Sequence, residues 1–242
     1  LRFSWNVCGL NTSVGLPALI TQVEQECKWD VLLIQELSRT VDSSGEELCE
    51  FLVGAHQVFT TTAGFRRSAV ILHQKHIHAR RLLWRCGASV GISLMLAHEG
   101  ATCESQGSRS LGLVSAHLPS TAHSDEEWRL ALDDVNTCIA RVCSNSSSFD
   151  CGAKFVLGID ANAVAKYPGM PTDNEYNGGS AVGSCSQRGA LLSAWAEAYR
   201  VHLANTLIPG SAFTHMHFVT ERLSTLDYIG ITMNSATVRE IC

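Results

Sequence analysis

Asp30-Val31-Leu32-Leu33-Ile34-Gln35-Glu36 is the stretch that decides the fold class. Its unbroken apolar run between polar ends is the pattern of a strand buried on both faces, with no side left to water. Upstream, Leu16, Leu19, Ile20, Val23 and Cys27 fall on one helical face, and Pro17 sits in the first turn, where a proline removes no hydrogen bond. The residues before that helix, opening on Leu1-Arg2-Phe3-Ser4-Trp5-Asn6-Val7, read as another core strand. Strand, helix, strand is the start of an α/β arrangement.

Downstream the pattern shortens. Apolar and β-branched segments at 58–62, 68–73, 90–97 and 110–117 are interrupted by Gly64, Gly87 and Gly107, as turns would be. Ser124-Asp125-Glu126-Glu127 is a capping box, and Trp128, Leu132, Val135, Ile139 and Val142 follow at helical spacing, which predicts a helix over 124–143. A strand is predicted at 154–159. Residues 163–186, rich in Gly, Pro, Asn and Ser, form a loop too long to be structurally idle. Leu191, Leu192, Trp195 and Tyr199 mark another helix, and strands are predicted at 212–218 and 226–232. With no repeat or linker, residues 1–242 read as a single α/β domain.

Composition excludes several function classes. At 45% hydrophobic and 17% charged residues the chain has material for a large core, so disorder is excluded. Its apolar runs are strand-length, well short of the roughly 18 residues needed to cross a bilayer. No signal-peptide pattern and no initiator Met opens the sequence, so it is expected to be part of something longer. Ten cysteines without a Cys-x-x-Cys do not make a zinc framework. Free thiols in a reducing compartment, nuclear or cytoplasmic, are expected, with a secreted and partly bridged protein as the alternative.

The net charge of −5 hides an asymmetry. Between Glu50 and Glu99 stand Arg66, Arg67, Lys75, Arg80, Arg81 and Arg85 and no acidic residue, while all 23 acidic residues lie elsewhere. Such segregation can offer a basic face to phosphate, with Arg66 and Arg67 as candidate substrate contacts, and leave an acidic portion to hold a metal. Basic side chains decorating solvent-facing strands account for it equally well.

The informative polar residues sit at the ends of apolar strands. Asn6 follows the first strand, Glu36 the second, His117 follows Leu113 and Val114, Asp160 and Asn162 follow 155–159, and Asp227 precedes Tyr228 and Ile229. Each alone is most simply a turn former. Five such termini together suggest convergence at one sheet edge. The inventory suits metal-assisted hydrolysis of a phosphate ester. Glu36 with Asn6 offers Mg²⁺ the oxygen donors it prefers. Asp160 is placed as general base, Asn162 can hold that base or a phosphate oxygen, and His117 can stabilise phosphate charge or protonate a leaving oxygen.

Taken in order, Ser4-Trp5-Asn6-Val7-Cys8-Gly9-Leu10, Leu33-Ile34-Gln35-Glu36, Ser115-Ala116-His117-Leu118-Pro119, Gly158-Ile159-Asp160-Ala161-Asn162 and Leu226-Asp227-Tyr228-Ile229 resemble the successive motifs of the endonuclease/exonuclease/phosphatase superfamily. A later run, Arg188-Gly189-Ala190-Leu191-Leu192, Leu203-Ala204-Asn205-Thr206 and Ala212-Phe213-Thr214, is similar to the endonuclease domains of non-LTR retrotransposons. The resemblance implies two mixed β-sheets packed face to face as a sandwich with helices on the outer faces. It also implies hydrolysis of phosphodiesters or phosphomonoesters with Mg²⁺ or Mn²⁺. By motif, Asn6 and Glu36 would bind metal, His117 would contact the scissile phosphate, Asp160 would orient or deprotonate water, Asn162 would position phosphate and Asp227 would orient a histidine.

That histidine belongs to a terminal Ser-Asp-His motif, and Tyr228 to Cys242 contain neither His nor Asp. The sequence therefore reads as a fragment that stops before its last motif. Losing a general acid or base lowers rates by about 10² to 10⁴. Residues 1–242 are thus expected to be weakly active, and a longer polypeptide with the motif to be active; full activity of 1–242 would overturn this expectation. His117 is a second departure, because retroelement and abasic-site endonucleases often carry Tyr there.

The expected activity is DNA cleavage of retrotransposon type, with DNA as partner and a reverse-transcriptase domain downstream. The alternatives are the same chemistry on RNA, a sphingolipid or an inositol phosphate, and a non-catalytic remnant that binds nucleic acid or protein. His73, His76 and His78 could be taken for a metal cluster, as could His215 with His217; histidines two apart share one strand face, but no third or fourth ligand is identifiable, so no separate zinc site is expected. Arg109, Trp84, Trp128 and Trp195 read as packing or surface residues, in preference to base-stacking platforms.

Overall fold

The continuous apolar run at 31–34 is resolved by its neighbours into two alternating faces. Val31 and Leu33 point into the space between two sheets, whereas Leu32 and Ile34 point outward onto a helix. Side chains alternate along a strand, so a strand covered on both sides must be apolar at every position.

The computed structural model describes residues 4–62, 66–76, 81–96, 109–143, 154–166, 176–177, 181–207, 214–216, 221 and 223–232. Its elements are β1 (Ser4–Asn6), α1 (Gly15–Glu26), β2 (Val31–Ser38), β3 (Glu50–Val53), β4 (His56–Thr60), β5 (Arg66–Leu72), a 3₁₀ turn (Gln74–His76), β6 (Arg81–Cys86), β7 (Ser89–Leu96) and β8 (Arg109–His117). Then come α2 (Asp125–Cys143), β9 (Lys154–Asp160), α3 (Gln187–Ala198), β10 (His202–Leu203), α4 (Ala204–Leu207), β11 (His215–Met216), β12 (Leu223–Ser224) and β13 (Asp227–Ile231).

One sheet has the order β1-β2-β5-β4-β3 and the other β10-β13-β9-β8-β7-β6, with β11 and β12 as a separate pair. Each large sheet is mixed, through the parallel pairs β1/β2 and β8/β9. Val31, Leu33, Phe59, Val70 and Leu72 of the first meet Val90, Ile92, Leu94, Leu113 and Val156 of the second. Leu16, Ile20 and Val23 of α1 cover the outer face of the first sheet. Trp128, Leu132, Val135 and Ile139 of α2 cover the outer face of the second. The sandwich with outer helices implied by the motifs is the observed architecture, and no helix among the described residues is long and apolar enough to cross a membrane.

The capping box forms as read: Ser124 Oγ accepts from the Glu127 amide at 3.2 Å, and a Glu127 oxygen accepts from the Ser124 amide at 2.8 Å. Four strands escaped the sequence reading, the two-residue β10 and β12 and the longer β3 and β6. β3 and β6 lie at the outer edges of their sheets, where charged residues such as Glu50 and Arg85 break the apolar signal. Of the strand expected at 212–218 only 214–216 are described, and half of the loop expected at 163–186, residues 167–175 and 178–180, lies outside the described residues. The tryptophans act in packing: buried Trp128 donates to the Ala161 carbonyl at 2.8 Å, Trp195 donates to Asn136 at 2.6 Å, and Arg141 lies over Trp84 at 5.4 Å.

Candidate active site

Glu36 sits within β2 at a register shift between Ile34 and Leu37, after which the ladder with β5 resumes at Leu37 and Ser38. The extra residue bends the strand and re-aims the side chain, and Glu36 takes φ +60 to do so, a left-handed conformation that strains a side-chain-bearing residue by about 1–2 kcal/mol. The conformation is held from outside, since the Glu36 carbonyl accepts from the Gly9 amide at 2.7 Å. Strain fixed in this way at a polar strand end points to function.

Beneath Glu36 a buried polar bridge joins the sheets. Gln35 Nε2 donates to Ser115 Oγ at 3.0 Å, and Ser115 Oγ donates to the Ile34 carbonyl at 2.8 Å. Both side chains are fully buried, so each needs the other. The bridge sets the end of β2 against the end of β8.

On the second sheet, β8 and β9 run parallel and finish together, which places His117 opposite Asp160. β13 runs antiparallel to β9 and begins with Asp227 opposite the same residue. Asp160 Oδ2 accepts from Asn6 Nδ2 at 2.6 Å, and Asp160 Oδ1 accepts from the Asn162 amide at 3.1 Å. Asn6 Oδ1 in turn accepts from the Cys8 amide at 2.9 Å. Asn162, at φ +48, donates through Nδ2 to the Leu118 carbonyl at 2.9 Å and lies 3.4 Å from His117 Nε2. His117 Nε2 stands 3.5 Å from Glu36 Oε1 and 3.6 Å from Asp160 Oδ2. Asn6, Glu36, His117, Asp160 and Asn162 thus meet at one edge between the sheets, with Asp227 beside Asp160.

Asp160 is 2% exposed. Burial, and then the neighbouring Asp227 carboxylate, push its pKa up to about 6, against the opposing pull of His117 and the hydrogen bonds from Asn162 and Asn6. Burial moves His117 the other way, and Arg66 adds to it, so the imidazole favours its neutral form at neutral pH. The cluster is short of positive charge. Arg66 reaches in from the start of β5 to the Glu36 carboxylate and remains half-exposed.

Arg67, the other arginine expected to contact substrate, is not brought to the cluster. Neighbouring residues of a strand face opposite ways, and the buried Arg67 pairs with Glu47. Lys75 pairs with Asp30 at 2.6 Å, and Arg85 donates to the Thr60 and Cys49 carbonyls at 2.7 and 2.9 Å. The basic stretch therefore does not form one face among the described residues, a correction to the charge argument.

Glu36, His117 and Asp160 each place a donor atom within 4.8 Å of the others. Two carboxylates and one imidazole are donors that a divalent cation accepts, while Asn6 turns its amide nitrogen to Asp160 and its oxygen to the Cys8 amide. The residues present fit such an ion.

The later run acquires structural meaning. A Cβ at Gly189 would collide with the Val164 carbonyl, so only glycine lets α3 approach the loop after β9. Arg188 donates to Asp125 at 2.7 Å and to the Ser120 and His123 carbonyls at 2.9 and 2.5 Å, holding the loop that follows His117. Asn205 Nδ2 donates to the Asp227 carbonyl at 2.9 Å, Asn205 Oδ1 accepts from the Ile229 amide at 3.2 Å, and Thr214 Oγ1 accepts from the Asp227 amide at 3.0 Å. Asn205 and Thr214 hold the backbone of Asp227, a role the sequence run marked without explaining.

No family model matches the sequence, and no curated protein is a significant sequence match. Solved structures do match. An AP endonuclease, LMAP, from Leishmania major superposes with TM-score 0.61 at 14% identity, over 94% of this chain and 77% of that one. The catalytic domain of Xenopus laevis APE2 gives 0.58 at 13% identity, over 97% and 82%. The 3′-5′ exonuclease NExo from Neisseria meningitidis gives 0.55 at 12% identity, over 97% and 87%. The two mixed sheets and their outer helices are, by this likeness, the fold of the endonuclease/exonuclease/phosphatase proteins.

Proposed function

We propose that this chain is a metal-dependent phosphodiesterase whose substrate is DNA, an endonuclease of the retrotransposon type. The observation that carries the reading is the meeting of Glu36, His117, Asp160, Asn6 and Asn162 at one edge, with Asp160 buried and its pKa raised to about 6. Such a carboxylate is ionised at neutral pH yet keeps proton affinity, which suits a base that takes a proton from attacking water. Neutral His117 can donate one hydrogen bond to a phosphate oxygen without adding charge. Asn162 Nδ2 lies beside it as a second donor. A divalent cation, Mg²⁺ or Mn²⁺, held by Glu36 with Asn6 and Asp160, would supply Lewis-acid charge to the phosphate. Fold likeness to an AP endonuclease is in keeping with a nucleic-acid substrate, and the motif order, with Asn205 and Thr214 holding Asp227, is what supports the retrotransposon branch. His117, where that branch often carries Tyr, favours the second reading, the same chemistry on RNA or another phosphoester.

Nicking of supercoiled plasmid under a Mg²⁺ titration, beside single-stranded RNA, sphingomyelin and an inositol phosphate, tests this. Metal-dependent nicking of DNA in preference to the rest is expected. Metal-dependent cleavage of another substrate alone would move the assignment to the second reading, and no metal-dependent cleavage of any, by 1–242 and by a longer polypeptide carrying the Ser-Asp-His motif alike, would sink both.

Arg66 bears on the same site. In the metal-free protein it occupies the Glu36 carboxylate that a cation needs, and its half-exposed guanidinium stands at the cluster where a phosphate would enter. Arg66→Ala is expected to tighten Mg²⁺ binding several-fold and to raise the KM for a phosphodiester about tenfold, a charged hydrogen bond discounted for exposure. Steady-state kinetics at varied Mg²⁺ read both; weaker metal binding in the variant would refute the competition.

A further inference from the structure

The opposite edge of the five-stranded sheet carries a second cluster. β5 runs antiparallel to β2, so the end of β5 lies beside the start of β2, and the His73 amide donates to the Asp30 carbonyl at 2.9 Å. The six residue steps from Asp30 to Glu36 put this edge about 20 Å from the candidate active site. Here Glu24 of α1, His56 at the start of β4 and His73 just after β5 each bring a ligand atom within 4.8 Å of the others.

We propose that Glu24, His56 and His73 form a second metal site, independent of the first, that takes a Zn²⁺-class transition-metal ion and leaves one coordination position to water. The donor chemistry selects the ion, because two imidazoles with one carboxylate suit zinc and are poor ligands for Mg²⁺ or Ca²⁺. A separate observation aims the site at a ligand. The His56 side chain is only 8% exposed, and its Nε2 lies 3.2 Å from Glu24 Oε1, yet that buried nitrogen makes no hydrogen bond. A buried imidazole nitrogen without a hydrogen-bond partner is costly to leave so, and a metal ion satisfies it.

The rings are held ready. The Trp29 indole stacks on His56 at 5.0 Å and 23° and meets His73 edge-on at 5.0 Å and 81°, and the two imidazoles meet at 5.1 Å and 77°. Burial, with the nearby His56, lowers the pKa of His73 and favours the neutral imidazole that ligates. One contact opposes metal binding: the Lys75 amide donates to His73 Nδ1 at 3.3 Å. An ion on Nδ1 would displace this long bond, and an ion on Nε2 would put a proton on Nδ1 against it, so it is given up either way. Glu24 is exposed, which leaves the fourth position open to solvent.

The three ligands come from a helix, a strand and the end of another strand, so an ion would pin α1 to the sheet edge. The sequence hides this set, because it aligns His73 with His76 and His78. His76 turns instead to Asp30 at 2.8 Å, and His78 lies outside the described residues.

The whole chain, stripped of metal, is titrated with Zn²⁺ by calorimetry and with Co²⁺ by visible absorption, as wild type, Glu24→Gln, His73→Gln and Glu36→Ala. One ion is expected to bind wild type and Glu36→Ala with a tetrahedral Co²⁺ spectrum and a Tm rise of about 5 °C or more at a hundredfold excess over Kd. His73→Gln is expected to weaken binding at least tenfold and remove the Tm rise. Exposed Glu24→Gln, which threatens folding least, is expected to do the same. Zn²⁺ binding that Glu36→Ala removes, or that neither Glu24→Gln nor His73→Gln weakens, as thiol binding would give, overturns the proposal.

Discussion

Glu36→Ala is expected to lower metal-dependent phosphodiester cleavage by a factor on the order of 10³ while leaving the fold intact. The two expectations have separate causes. The carboxylate is where the sheets bring their polar ends together, 3.5 Å from His117 and in contact with Arg66, and alanine offers a cation nothing in its place. The backbone conformation at φ +60 is as strained for alanine as for glutamate, and the Gly9 amide still bonds the residue 36 carbonyl, so folding stability should change by less than about 1 kcal/mol. Initial rates at saturating Mg²⁺ beside a thermal melt test both. A variant within tenfold of wild type would remove Glu36 from the chemistry. A binding-only protein would show no metal-dependent cleavage to lose.

Asp160→Asn separates activity from stability more sharply. Activity should fall by about 10² to 10⁴, because the amide cannot accept a proton from water. Stability should respond with pH. The folded protein raises the Asp160 pKa from 3.8 to about 6, so it favours the protonated form. That contribution is complete below about pH 4 and disappears as pH rises through about 6. Metal-free wild type should therefore lose, between pH 4 and 7, on the order of 2 kcal/mol that the Asn variant keeps. Because His117 shares the charge balance, this is an upper figure. Saturating Mg²⁺ should reverse the order at pH 7 by favouring the ionised carboxylate. Melting curves at stepped pH read the difference, and parallel pH profiles for the two proteins would show that Asp160 ionises as an ordinary surface acid.

Much of this site could be read from the residues, and for a physical reason. A polar side chain at the end of an apolar strand is conspicuous, and parallel strands that finish together bring such ends into one place, as His117 and Asp160 show. Which arginine reaches the site was not legible, because Arg66 and Arg67 differ only in the face of β5 they occupy, and a slip of one residue exchanges them. β3 and β6 were missed because edge strands carry charge where inner strands carry Val and Ile. The Glu24, His56 and His73 cluster was beyond reach for a different reason, since no periodicity links a helix residue to two strand ends far along the chain.

The bridge from Gln35 through Ser115 to the Ile34 carbonyl has a consequence for how the protein fails. Asn6 and Glu36 belong to one sheet and His117 and Asp160 to the other, so neither half of the molecule owns a site. Separating the halves by the width of a side chain would leave all the elements folded and the chemistry gone. If the site acts as proposed, catalysis would gauge how closely the two sheets are docked, and thermal inactivation should begin when they part.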